Sequence, residues 1–209
     1  MSILNRTAHF QNRRDEVPNQ ELARELAAQQ DTAGIREIAE NLWNKDKNIR
    51  ADCIKVLYEI GSIEPALVAG YTGDFIKLLK SKNNRLVWGG MTALSAVAEL
   101  KADVIHAHLG EIQKAMDEGS VITMDNGIQA LARAASKDEQ YNRAIFPYLL
   151  NHLKTCRPKD VAQHSEKTLP AVNAANKAGF ISALEKRMID VSGSGLARVK
   201  KVMKEAHKR

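Results

Sequence analysis

Apolar residues recur along this chain with helical spacing, and the helical stripes themselves recur every 37 residues. Stepping by 37 from Ile38 gives Phe75, Ile112 and Leu149, and from Leu42 gives Leu79, Met116 and Leu153, all large and apolar. A second register behaves alike: Leu57, Leu94 and Leu131; Ile60, Val97 and Ala134; Ile49, Leu86 and Thr123. Within each stripe the steps are three and four residues, as in Cys53, Val56, Leu57 and Ile60, so each unit predicts a pair of amphipathic helices. No segment alternates with period two over a useful length, and no strand is predicted. Polar turn residues keep the same period: Asn44 to Lys47, Ser81 to Asn84, Glu118 to Val121 and Thr155 to Pro158 separate the first from the second helix of each pair. Gly61 and the stretch Ser136 to Asn142 predict helix ends, whereas Gly73 and Pro147 fall in predicted first turns.

Four full units begin near Ile35, Thr72, Leu109 and Phe146, and the pattern frays on either side of them. Asn19 to Gln29 takes the place of a second helix whose first helix is missing. Residues 177 to 191 read as the first helix of a fifth unit. After the break at Ser192 to Gly195, the stripe Leu196, Val199, Val202, Met203 and Ala206 takes the place of its second helix. A hairpin of this size cannot bury its own apolar faces, but stacked hairpins share one elongated core and need polar outer faces only at the ends. The prediction is an all-α right-handed superhelix. Residues 19–209 form one repeat domain with capping helices at 19–29 and 196–209, preceded by a mobile basic N-terminus at 1–18.

The run Asp46-Lys-Asn-Ile-Arg50-Ala-Asp-Cys53-Ile-Lys-Val-Leu57-Tyr-Glu-Ile60-Gly61 resembles the second helix of a HEAT repeat, a member of the armadillo-like helical class. Later copies keep the Leu at Leu94 and Leu131, replace Cys53 by Gly90 and Gly127, and lose the Arg. The resemblance covers roughly residues 32 to 191 and implies an α-α superhelix whose second helices line a concave face. It carries little about activity, because such repeats serve as scaffolds, adaptors and, in one bacterial branch, DNA alkylation-repair glycosylases.

On that face the positions beside the core stripe bring Trp88, Asp125, Asn126, Gln129, His164 and Lys167 toward one groove, from three consecutive units. A Trp flanked by Gly89 and Gly90 offers a flat apolar surface, with Asp125 and Asn126 as polar anchors, so the expected occupant is an extended peptide or helix of a partner protein. The bland reading packs Trp88 between helices and uses Thr123 and Asp125 as caps. Nucleic acid is the alternative partner: the repair branch would use Trp88 to stack on an extruded base and Asp125 as the carboxylate, but a second concave Trp and that branch's acid-plus-aromatic motif are both missing from the sequence. Asp125, His164 and Glu166 stand where a hydrolytic cluster could assemble, without a nucleophile that carries its own signature. His106 and His108 project to different sides of a helix, and no Cys pair has metal-ligand spacing, so no metal and no cofactor are predicted.

Composition changes this picture in one respect. The 209 residues are 44% hydrophobic and 27% charged, which suits a soluble globular chain. Cys53 and Cys156 are too few for a disulfide framework, and no apolar run approaches membrane-spanning length, so a cytoplasmic setting is expected. The net charge of +6 is uneven. Residues 1–14 and 195–209 are basic, and the body between them is slightly acidic. Arg198, Lys201, Lys204 and Lys208 on the last helix are therefore the candidate phosphate contacts, on a helix whose apolar stripe also predicts an end cap.

Overall fold

The computed structural model describes residues 2–209, and all twelve of its α-helices belong to one stack. The second helices form one continuous layer: α1 (Val17–Gln29), α3 (Lys47–Ile63), α5 (Asn84–Val97), α8 (Val121–Ala135), α10 (Pro158–Thr168) and α12 (Gly193–His207), each packed on the next. The first helices α2 (Thr32–Glu40), α4 (Thr72–Leu78), α7 (Leu109–Glu118), α9 (Glu139–Thr155) and α11 (Lys177–Arg187) form the other layer. No strand occurs among the described residues. The core lies between the layers, where the 37-residue register predicts it. Ile38, Phe75, Ile112 and Leu149 are fully buried, as are Leu57, Leu94 and Leu131.

The turns explain where helices start. Asp46, Asn83 and Ser120 stand 37 apart, and each side chain caps the helix that follows by accepting a backbone N–H, at 2.7, 3.0 and 3.3 Å. The fourth equivalent position is Arg157, which cannot accept such a bond. Pro158 at the first helical position takes over there, since its missing N–H would be unpaired in any case. Glycines replace the small Cys53 because the layers approach closely: a Cβ on Gly90 would stand 3.0 Å from the Phe75 carbonyl oxygen and 3.1 Å from Leu78 Cβ.

Three features depart from the hairpin expectation. The repeat is three-membered in the middle, because short helical turns at Pro65–Leu67 and Ala69–Tyr71, and helix α6 (Ala102–Ala107), precede α4 and α7. In the fourth unit the two pieces fuse into α9, which starts at Glu139 on the Asp138 cap, so Pro147 lies inside that helix and not in its first turn. Gly61 lies inside the last turn of α3 without a positive φ; its role is close packing, with Ala96 Cβ 3.0 Å from where its own Cβ would be.

The stretch read as a mobile basic end, residues 1–18, touches the repeats from Ser2 to Glu16, Met1 lying outside the described residues. Arg6 forms a two-pronged ion pair with Glu25. The Ala8 N–H donates to Asn19 Oδ1 at 2.9 Å, and the His9 N–H donates to Asp52 Oδ2 at 2.7 Å. Glu16 then binds both Lys55, at 3.0 Å, and Arg85, at 2.6 Å. Helix α1 begins at Val17. At the other end Val199, Val202 and Ala206 of α12 are buried against α10, so the last helix covers the core end.

Candidate functional site

Two hollows take in most of the expected residues. The larger, about 630 Å³, lies over α3, α5 and α8 and is lined by Tyr58, Glu59, Thr92, Asn126, Gln129 and Arg133 among others. Asn126 is held from two sides: its Nδ2 donates to Thr92 Oγ1 and to the Ile122 carbonyl, both at 3.0 Å, which leaves its Oδ1 as an acceptor. Thr92 is itself oriented by donating to the Trp88 carbonyl at 2.8 Å. Arg133 reaches across to the Ser95 carbonyl at 2.8 Å. One unit earlier, Lys55 is buried and paired with Glu16 and Glu59. Burial works to lower its pKa, but the two carboxylates outweigh that and raise it.

The smaller hollow, about 350 Å³, sits where α8, α9 and α10 meet, and its wall carries a polar chain that runs inward. Asp125 Oδ2 accepts from Gln163 Nε2 at 3.1 Å, and Oδ1 pairs with His164 Nε2 at 2.6 Å. The Asp125 carbonyl accepts from Lys167 Nζ at 2.8 Å. On its other side, His164 Nδ1 faces His152 Nε2 at 2.9 Å. The thiol of Cys156, the residue that caps the C-terminal end of α9, completes a group in which one ligand atom from each of His152, Cys156 and His164 lies within 4.8 Å of the others. Because a carboxylate only accepts, His164 Nε2 carries a proton, and in neutral His164 the Nδ1 lone pair points at His152.

Electrostatics keep His152 uncharged. Burial, helped by neighbouring His164, pushes His152 down to about 4, so it is neutral at physiological pH. Burial raises the Cys156 thiol, and Arg187 opposes that. Arg187, from α11, closes the C-terminal end of α9: Nη1 donates to the Leu153 carbonyl and Nη2 to the Cys156 carbonyl, both at 2.7 Å, while Nε holds Asp190 at 2.6 Å. Lys167 is lowered by burial, with Asp125 acting against the shift.

The six residues expected in one groove divide between these places. Asn126 and Gln129 line the larger hollow, and Asp125 and His164 line the smaller, with Lys167 tied to the latter through the Asp125 carbonyl. Trp88 lines neither. It is half-buried, with its ring tilted against Tyr58 at a centroid distance of 5.9 Å. Asp125 and His164 do meet, but Glu166 turns away to Arg198, at 2.8 and 2.5 Å. Of the candidate phosphate contacts, Arg198 is therefore engaged and Lys208 pairs with Glu205, while Lys201 and Lys204 are exposed. His106 stacks on Tyr141 and His108 pairs with Glu111, so the two stay apart.

Sequence reasoning missed Tyr58 and Arg133 in one hollow and His152 and Cys156 in the other. The signal for the last two was present. His152 and Cys156 are four apart at the end of one helix, and His164 follows eight residues later across the turn.

No family model matches the chain, and no curated protein matches it. Solved structures do. An engineered protein is 17% identical, with a TM-score of 0.69 over 100% of both chains. A designed armadillo repeat protein in complex with peptide (KR)4 is 14% identical, with a TM-score of 0.69 over 90% of this chain and 85% of that one. A second designed armadillo repeat protein is 14% identical, with a TM-score of 0.67 over 98% of each. The fold is thus an armadillo/HEAT-like helical repeat stack, and no helix among the described residues is long and apolar enough to cross a membrane.

Proposed function

We propose that the second-helix face binds an extended segment of a partner protein, with the chain acting as a scaffold and not through catalysis. The observation that supports this is the way the protein treats its own N-terminal segment. At the first unit, Asp52 accepts a main-chain N–H from His9 and Lys55 binds the Glu16 carboxylate. Stepping by 37, Asp52 corresponds to Gly89 and Asn126, and Lys55 to Thr92 and Gln129. A passing chain already lies over these positions in unit one, and of the equivalent positions further along, Thr92, Asn126 and Gln129 open into the larger hollow. Asn126 supplies the acceptor that a peptide N–H needs, Gln129 supplies both donor and acceptor, and Tyr58 supplies a partly apolar wall. A structural neighbour, a designed armadillo repeat protein, was solved in complex with peptide (KR)4, which supports the reading.

The test is selection of peptides from a random library on the full chain, followed by affinity measurement on wild type, Asn126→Ala and Gln129→Ala. Selected peptides should lose roughly 2–10-fold in affinity per variant, the range of one net hydrogen bond. Selected peptides that bind both variants with wild-type affinity would remove the groove from the account.

A further inference from the structure

We propose that His152, Cys156 and His164 form a binding site for one zinc-class divalent ion, with the fourth coordination position open to the smaller hollow. Nothing in the peptide-binding reading requires this site, and it stands on its own geometry.

The donor set is two imidazoles and a thiol, the ligands that suit zinc-class ions and not magnesium or calcium, which take oxygen. The two ring nitrogens that face each other are 2.9 Å apart. In a tetrahedral site with bonds of about 2.0 Å the corresponding edge is roughly 3.3 Å, so the imidazoles need only part slightly to admit the ion between them. The Cys156 thiol, within 4.8 Å of both, reaches the third corner by a movement of about an ångström. All three residues line the 350 Å³ hollow, which leaves the fourth corner to water or an exchangeable ligand.

The surroundings are those such a site needs. His164 presents one nitrogen to the cluster while the other is fixed by Asp125, the carboxylate–histidine arrangement that sets ring orientation and raises ligand basicity. Asp125 is in turn held by Gln163. The other acids on the wall are engaged elsewhere, Asp117 with the Tyr148 hydroxyl at 2.7 Å and Asp160 with Arg157 at 2.6 Å. Uptake is balanced: the Cys156 thiol loses one proton to solvent as sulfur binds the ion, and the His152 proton moves from Nε2 to Nδ1, so one proton leaves per ion. The ion would join α9 to α10 directly and reach α8 through Asp125.

The experiment is titration of the chelator-treated full chain with Co2+, recorded by absorption, with Zn2+ as competitor. The expected result is saturation at one equivalent, with a thiolate-to-cobalt charge-transfer band and the intense visible bands of a four-coordinate ion, all displaced by Zn2+. Cys53→Ser should keep the charge-transfer band and Cys156→Ser should lose it. Asp125→Asn should weaken the ion on the order of 10–100-fold. Absence of the thiolate band with excess Co2+ in wild type overturns the proposal, and so does a band that disappears in Cys53→Ser. The wild-type and Cys53→Ser spectra decide the matter even if Cys156→Ser fails to fold.

Discussion

Replacing Arg187 by Ala tests whether the fourth and fifth units are tied together by one side chain. The Arg187 side chain is 11% exposed, and its guanidinium makes three bonds at once, to the Leu153 carbonyl, the Cys156 carbonyl and Asp190. The first lies in the last turn of α9 and the second on its C-cap, where carbonyls have no partner within the helix and the helix dipole favours a cation. Hydrogen bonds to a charged group contribute about 1.5–3 kcal/mol each, and water can re-enter at this helix end to recover part of that. The expected cost is about 3 kcal/mol, which in a chain of this size lowers Tm by roughly 6–12 °C. Because a solenoid unit senses only its neighbours, the loss should be local. Hydrogen exchange should therefore speed up in α9, α11 and α12 and stay unchanged in α1 to α5. Arg187→Lys should recover only a minor part, since an ammonium cannot span both carbonyls. A cost below about 0.5 kcal/mol, or faster exchange spread evenly along the chain, would refute the argument by showing that water replaces the fork or that the stack unfolds as a single unit.

Three further outcomes follow from the same packing. Gly89→Ala should destabilise by about 1–3 kcal/mol, because its Cβ would stand 2.8 Å from Cγ1 of the buried, branched Ile54, whereas Gly110→Ala meets nothing within 4 Å and should be neutral to stabilising in the same urea titration. Asn142→Ala should cost about 2–3 kcal/mol, since Asn142 donates to the Ala135 and Ala171 carbonyls at 3.2 and 2.7 Å and accepts from Asn176, and the Ala135 carbonyl would lose its side-chain donor; a calorimetric Tm equal to wild type would contradict this. Glu166 is held below the usual carboxylate range by Arg198, so the stability it contributes is present above the ordinary Glu pKa and is lost as pH falls through the lower folded value. Both partners are well exposed, so Arg198→Ala should cost only about 0.2–1 kcal/mol at neutral pH, and nothing once Glu166 is protonated; an undiminished cost in acid would show that the pair is not the cause.

The core was legible because burial in a solenoid repeats with the chain. Phe75, Ile112 and Leu149 could be found by counting from Ile38, and the caps Asp46, Asn83 and Ser120 by the same count. What escaped was whatever breaks the period. Asp138 reads as a turn residue and is one, but it caps a helix that then runs through Pro147, because Leu149 and Leu153 keep that helix packed on the core. The N-terminal segment binds through pairs such as His9 with Asp52, 43 residues apart and outside any register. Asp125 and His164 were legible as neighbours through the repeat, but the register drifts by one to two residues there, so that Asp125 meets both Gln163 and His164. His152 was hidden because it lies on a first helix, in the layer not inspected for chemistry, and reaches the second layer only at the turn.

The N-terminal segment that lies over Asp52 and Lys55 has one more consequence. It occupies the second-helix face over α3, and the last second helix described is α12. From α5 to α12 there are three helix-to-helix steps of about 8–10 Å, so the free span is roughly 24–30 Å. An extended chain advances about 3.3 Å per residue, which makes that span a gauge of roughly seven to nine residues. On the peptide-binding reading, a longer segment would have to leave the surface or displace residues 2–16 from it.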